Sequence, residues 1–321
     1  MKRALVTGIL GQDGSYMAEL LASKGYEVHG IIKHTANHDK IKWLLGLVPT
    51  AKLYSTDISL KNELAYCIEK VRPTEIYNFA GVSDVFAPWE NLDEILNLNA
   101  KVPQNILEII VSVDKSIRFF QASSCLVFGK TKTDLQNELT PRCPIYVYGC
   151  AKNYSDNLIS IFRETFGIFA CSGVLYPHIS PRQNSNFFAK KVCAAISRIN
   201  NGASEKLKLG DLGSMRDWSY APDVVEAAHL MLQHNKPEDF VIGSGVLTNS
   251  EYFVRTAFEC CQLDYTEHIE QVPEFTRKKD VSALCADNRK IKLELKWQPK
   301  VTIQQLIENM VNYELGKLKS N

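Results

Sequence analysis

The chain has 321 residues, 45% hydrophobic and 23% charged, and 37 Lys+Arg against 36 Asp+Glu leave a net charge of +1. That length buries a large core in one elaborated α/β domain or in two domains, and the composition is that of an ordinary soluble globule. Near-neutrality excludes the basic footprint of a nucleic-acid-binding protein, and no apolar run reaches the roughly eighteen residues of a membrane span. The nine cysteines (67, 125, 143, 150, 171, 193, 260, 261 and 285) form no C-x-x-C pair and sit in apolar segments. They predict reduced thiols in a cytoplasmic compartment, with no metal site and no disulfide framework. The start, "MKRALVTG", runs straight into a strand pattern, so no leader is expected.

The first strand, "RALVT" (3–7), leads into "TGILGQDGSY", where Gly8, Gly11 and Gly14 are spaced G-x-x-G-x-x-G and open a helix predicted over 14–24. Glycines there let the backbone turn tightly and approach a pyrophosphate, which the free N–H groups and dipole of a helix N-terminus attract. The order strand, loop, helix separates a dinucleotide site from an ordinary tight turn. The second strand, "YEVHGII" (26–32), ends at Lys33. An acidic residue at that point favours NAD through the ribose 2′-hydroxyl, whereas a basic one suits the 2′-phosphate, so Lys33 points to NADP. Asp57 closes the third strand, "AKLYS" (51–55), and either accepts from the adenine amino group or forms a turn.

A helix over 60–71, the strand "EIYNF" (75–79), a helix over 93–113 and the strand "IRFFQA" (117–122) follow. Ser124 comes at the end of that last strand, and alternation along a continuing strand turns Cys125 away from it, into the core. At the start of a helix over 149–166, "YGCAK" sets Tyr148 and Lys152 four residues apart, on one face. An ammonium there stabilises the phenolate of a tyrosine whose ordinary pKa is about 10. "FACSGVL" (169–175) is the last strand of the series.

Strands alternating with helices imply parallel pairing through crossover helices, and strands apolar along much of their length imply helices on both faces. The fold class is therefore α/β, a doubly wound parallel (Rossmann) sheet. Beyond residue 175 the pattern loosens: a polar loop "YPHISPRQNSNF", a helix over 187–199, then irregular pieces to "IQQLIENMVNYEL". The expected division is a dinucleotide-binding domain over 1–175 and a smaller α/β substrate-binding lobe over 176–321, with some elements returning to the sheet. Repeats and low-complexity tracts are absent.

Taken together, the glycine loop, Ser124 and the Tyr148/Lys152 pair make the chain resemble the extended short-chain dehydrogenase/reductases. Within them it is most similar to the GDP-mannose 4,6-dehydratases, through "TGILGQDGSYMAELLASKGYEVHG", "RPTEIYNFAG", "FFQASS", "HISPR", "NFFAKK", "LGDLGSMRDW", "APDVVEAAHLMLQ", "PEDFVIGSG" and "LKWQPKV". The resemblance implies an NADP site lined by Gly8, Gly11, Gln12, Asp13, Lys33, Asp57, Ile58, Ala80 and Ser83, with His178 and Arg182 near the nicotinamide half. It implies a nucleotide-sugar substrate, GDP-linked, whose diphosphate meets Asn186, Lys191, Arg216 and Arg277; a guanidinium fork suits phosphate oxygens. Ser124 would orient the sugar O4, Tyr148 exchange its proton and Lys152 lower the tyrosine pKa.

Departures from the family cluster around the sugar. The dehydratases carry a glutamate two residues after the catalytic Ser or Thr, and here that position is Leu126. A 4,6-dehydration oxidises C4, removes the C5 proton, expels water from C6 and returns the hydride to C6; the glutamate serves the middle two steps, and leucine can serve neither. Ile145 to Val147 replace R-S-P, Pro177 replaces an asparagine, and Asp84 stands where histidine is frequent. The segment from Lys33 to Leu53 is shorter than in the dehydratases, whose corresponding loop helps build a tetramer, so the expected homo-oligomer is a dimer. The expected function is hydride transfer between NADP(H) and C4 of a GDP-linked hexose or 4-keto-6-deoxyhexose. The alternatives are a 4,6-dehydratase with a relocated base (Cys125, Cys150, Asp84 or His178), a C4 epimerase, and a non-catalytic cofactor or nucleotide sensor.

Overall fold

The computed structural model describes residues 1–83, 91–275 and 283–319, so Asp84 and Arg277 lie outside the described residues. In chain order the first half runs β1 (Arg3–Thr7), α1 (Gln12–Ser23), β2 (Glu27–Ile32), α2 (His38–Leu47), β3 (Lys52–Ser55), α3 (Lys61–Val71), β4 (Glu75–Asn78), α4 (Leu92–Leu96), α5 (Val102–Val113), β5 (Arg118–Ala122), α6 (Val147–Phe166) and β6 (Ala170–Leu175). The second half runs β7 (His178–Ile179), α7 (Phe188–Asn200), β8 (Leu207–Leu209), β9 (Met215–Asp217), β10 (Ser219–Tyr220), α8 (Ala221–Gln233), β11 (Phe240–Ile242), β12 (Leu247–Asn249), α9 (Ser250–Glu259), α10 (Tyr265–His268), β13 (Ile269–Gln271), α11 (Arg289–Leu295) and α12 (Ile303–Lys319).

Seven strands form one sheet in the order β11-β6-β5-β4-β1-β2-β3, every neighbouring pair parallel. The direction of winding reverses between β1 and β4, the crevice where doubly wound sheets bind ligands at their strand C-termini. Alternate strand residues supply the two faces: Leu5, Ile76 and Phe119 join α3, α5 and α6 in one core, while Val6, Tyr77 and Phe120 join α1 and α8 in the other. A third core, built from α7, α9, α12 and β8, draws its buried residues from Ile179 to Val311. Its stacked Phe188 and Trp218 rings, 6.1 Å apart and 7° from coplanar, lie against Phe253. Two-stranded ribbons β10-β7, β12-β9 and β13-β8 complete the second half. Among the described residues no helix is long and apolar enough to cross a membrane.

Three local features depart from the sequence expectations. The stretch 93–113 is not one uniform helix, because α4 and α5 are joined by a π-helical turn, Asn97–Lys101. Helix α2 was not expected; Asn37 caps it by accepting from the backbone N–H groups of Asp39 (2.8 Å) and Lys40 (3.2 Å). Only Leu44 of α2 is buried, which left no apolar period to read. The strand at β5 does not continue to Ser124 and Cys125: it ends at Ala122, and Cys125–Val127 form a 3₁₀ turn capped by the Ser124 hydroxyl, which accepts from Leu126 N–H at 3.3 Å. Strand alternation therefore does not govern Cys125. Its burial comes from packing in a small cluster with Val127, Phe128 and Tyr176.

Candidate active site

The loop after β1 has the shape a dinucleotide requires. Gly8 has φ +67°, a conformation that L side chains rarely adopt, and a Cβ on it would lie 2.9 Å from Ala80 N; one on Gly14 would strike the Gly8 carbonyl oxygen. Gly11 is the N-cap of α1 and no side chain caps that helix, so its first-turn N–H groups are left for an anion. These features fit a pyrophosphate at the switch point. The same end of the sheet is fixed by a buried polar chain: Thr7 donates to Asn78, Asn78 Nδ2 to Gln121 Oε1 at 2.7 Å, and Gln121 Nε2 to Ala122 O at 2.8 Å.

Gln12, Asp13, His178 and Arg182, far apart in sequence, meet at the start of α1. His178 Nε2 contacts Asp13 Oδ2 at 3.0 Å while its Nδ1 lies 2.8 Å from the Tyr176 carbonyl, so both ring nitrogens are engaged. Burial raises the Asp13 pKa, but the charge and hydrogen bond of His178 outweigh it and hold the carboxyl below its ordinary value. For His178 burial acts downward, and Asp13 more than offsets it, leaving the imidazole above its ordinary value. Gln12 accepts from Ser180 Oγ at 2.7 Å, and the Arg182 guanidinium covers the Tyr16 ring at 3.8 Å while pairing with Glu19 at 2.5 Å.

At the far ends of β2 and β3 the geometry is more open. Lys33 is exposed and 3.9 Å from Glu94, and the neighbouring His34 Nδ1 lies 2.7 Å from Ser55 Oγ. Asp57, followed by Ile58, takes both the Ser59 hydroxyl (2.7 Å) and its N–H (3.0 Å), forming the turn that was one of its two expected roles. Those Ser59 bonds depress its pKa. Ala80 N–H donates to Thr7 Oγ1 at 3.1 Å, and Ser83 is exposed.

The catalytic candidates converge at the C-termini of β5 and β4. Tyr148, in the first turn of α6, lies close enough to the Ser124 hydroxyl for that group to act on its pKa, and the Lys152 ammonium lies 5.7 Å from the centre of its ring. Lys152 is buried and donates to Ala122 O at 2.8 Å, the carbonyl that ends the Thr7–Asn78–Gln121 chain. Burial drives the Tyr148 phenol well above its ordinary value, against the Ser124 hydroxyl, which lowers it. Burial pushes Lys152 down to about 8, with Asp156 opposing, so the ammonium survives at neutral pH. A tyrosine that holds its proton and a lysine near neutrality form a pair whose environments push their pKa values apart, so burial outweighs the lowering of the tyrosine by Lys152 that the sequence led us to expect and leaves Tyr148 as the acid.

A family model described as GDP-mannose 4,6 dehydratase matches residues 5–310. The GDP-mannose 4,6 dehydratase of Drosophila melanogaster is 36% identical over 347 aligned positions, covering 100% of this chain and 88% of that protein. The chain belongs to the GDP-mannose 4,6-dehydratase family. Another relative, GDP-mannose 4,6 dehydratase 1 of Arabidopsis thaliana, is 36% identical and covers 99% of this chain and 91% of its own length. The crystal structure of dTDP-glucose 4,6-dehydratase from Bacillus anthracis, in complex with NAD, superposes with a TM-score of 0.86 over 99% of this chain and 98% of that one; at 20% identity this likeness shows the fold alone.

In this GDP-mannose 4,6-dehydratase family member, Asn186 and Lys191 lie at the start of α7, both exposed, with Lys191 Nζ 3.3 Å from Lys208 O. Arg216 is on β9, close enough for its charge to act on Cys125. Arg277 was expected to join them and lies outside the described residues. The sequence reading missed Asn99, on the π turn. Asn99 Nδ2 donates to the carbonyls of Val82 and Ile95, both at 3.1 Å, while its buried Oδ1 has no partner among the described residues and faces Gly81 beside Lys152. A polar residue inside the apolar run "EILNLNAKV" was the available signal.

Proposed function

We propose that the protein transfers hydride between NADP(H) and C4 of a GDP-linked 4-keto-6-deoxyhexose or hexose. The observation that carries this reading is a complete Ser124/Tyr148/Lys152 set beside Leu126, the position to which the resemblance assigns the dehydratase glutamate. Of the candidate replacement bases, Cys125 and His178 are poorly placed to take over its role. Burial pushes the Cys125 thiol up to about 12, and both nitrogens of His178 are taken. When bound, the reduced nicotinamide supplies the hydride that C4 receives. Ser124 orients the ketone oxygen and Tyr148 gives it the phenolic proton, so the carbonyl becomes a hydroxyl. The Lys152 ammonium stabilises the phenolate until solvent returns a proton.

The glycine loop, the α1 N-terminus and Lys33 support NADP as the dinucleotide, with Asp57, Ile58, Ala80 and Ser83 along its adenosine side. We assign the nucleotide diphosphate to Asn186, Lys191, Arg216 and Arg277, against the core that spans residues 179–311. NADPH absorbance and product mass with GDP-4-keto-6-deoxymannose and with GDP-mannose test the reading. NADPH consumption with the keto sugar and a product two mass units heavier are expected. An 18-unit loss from GDP-mannose with no reaction of the keto sugar would overturn it in favour of a dehydratase, the reading that family membership over the whole chain supports.

A further inference from the structure

One face of α6 meets the end of β5 three times. Tyr148, Lys152 and Asp156 are spaced i, i+4, i+8 and so lie on one helical stripe. The last residue of β5 and the two that follow it receive them: Tyr148 lies by the Ser124 hydroxyl, Lys152 donates to the Ala122 carbonyl at 2.8 Å, and Asp156 Oδ2 accepts from the Ser123 hydroxyl at 2.7 Å. The third contact touches neither the dinucleotide loop nor the sugar positions. Asp156 is 2% exposed, yet it gathers donors from three separate segments: Ser123 after β5, Ser172 of β6, and Arg142 in the loop before α6, whose Nη1 is 2.6 Å away. Burial pushes its pKa up while Arg142 and the two serines oppose that; three donors aimed at one carboxyl fit the ionised form.

We propose that Asp156 is a positioning residue for the Tyr148/Lys152 pair, clamping α6 to the end of β5 and setting, with Arg142, the charge that Lys152 experiences. The inference rests on the proposed role of that pair. The groups facing it are few. Among the described residues Asp156 is the one charged group acting on Lys152; Tyr148 is influenced by Cys125, Asp13 and Asp156; Asp156 itself is influenced by Arg142 and Asp239, and Asp239 is paired with Arg163 at 3.1 Å. A negative charge one helical turn beyond an ammonium of pKa about 8 keeps it protonated across neutrality. Arg142, partly exposed, moderates that charge from the far side.

Opposite charge changes should therefore move the titration in opposite directions. In Asp156→Asn the Lys152 titration, and with it the alkaline limb of kcat for ketone reduction, should shift to lower pH by about one unit; in Arg142→Gln it should shift upward. A merely structural role would lower kcat or the melting temperature in both variants without separating the two limbs. The ammonium is followed directly in the full-length protein by NMR of ¹³C-lysine, with the Lys152 resonance assigned by its loss in Lys152→Arg. That readout needs no turnover. Opposite shifts without ketone reduction would sink the proposed function and leave this inference standing; turnover with an unmoved lysine in either variant would overturn the inference alone. If Asp156→Asn does not fold, the upward shift in Arg142→Gln decides.

Discussion

At the scale of single residues, two side chains divide the chemistry. Tyr148 is the one group in the set placed to exchange a proton with the sugar oxygen, so Tyr148→Phe should lower kcat by about 10²–10⁴-fold, measured as NADPH consumption. A loss smaller than tenfold would remove Tyr148 from that role. Leu126 is half-buried on a 3₁₀ turn, its N–H bonded to Ser124 and its side chain against the Cys125 cluster. Leu126→Glu would set a carboxyl there, raised by burial toward the range of a general base. We expect the variant to gain a measurable 18-unit mass loss from GDP-mannose at the cost of ketone reduction. Unchanged products in a folded variant would mean that elimination depends on more than position 126.

At the scale of elements, the dinucleotide loop tolerates no added side chain. Gly14→Ala would drive a methyl group into the Gly8 backbone, which cannot swing aside as a flexible side chain would. It should cost about 1–3 kcal/mol of stability and at least tenfold in NADPH affinity, read by thermal melting and fluorescence titration. Legibility followed the strength of local pattern. The six alternating strands and the glycine loop carry the period of buried parallel strands and the spacing of a phosphate turn, and β1 to β6 appear within about two residues of the sequence bounds. The end of β5 at Ala122 matches, but the stretch after it did not read correctly, because "SSCLV" is apolar enough to continue a strand, and only the Ser124 cap reveals the 3₁₀ turn. The pairing of Asp13 with His178, 165 residues apart, and the donors around Asp156 depend on tertiary packing, which no local period encodes.

At the scale of the molecule, the opposite end of the sheet from the site carries a buried polar cluster with its own pH response. Glu75 accepts from Lys2 (2.9 Å), Tyr26 (3.1 Å) and Tyr77 (2.7 Å), and His229 of α8 lies 3.4 Å from the Tyr26 hydroxyl. Burial, reinforced by Lys24, pushes His229 down to about 4. Between pH 4 and about 6.5 the unfolded chain therefore binds a proton that the folded chain does not, and stability falls as pH falls through that window. Urea unfolding should show roughly 1–3 kcal/mol lost over this range, and His229→Gln should flatten the slope. An unaltered slope in the variant would mean that carboxylates alone set the acid limit.

The order of the sheet also has a consequence for biosynthesis. Its outer strand β11 pairs with β6, yet 64 residues of chain lie between Leu175 and Phe240. A nascent chain that has just completed α6 and β6 already holds the glycine loop and Tyr148/Lys152, but its sixth strand, buried along its whole length in the finished protein, presents an unpaired apolar edge. Helix α8, which packs on α1, also arrives late. Ribosome-bound chains stopped short of residue 240 would be the chaperone-dependent species, and release from that dependence would come as β11 emerges.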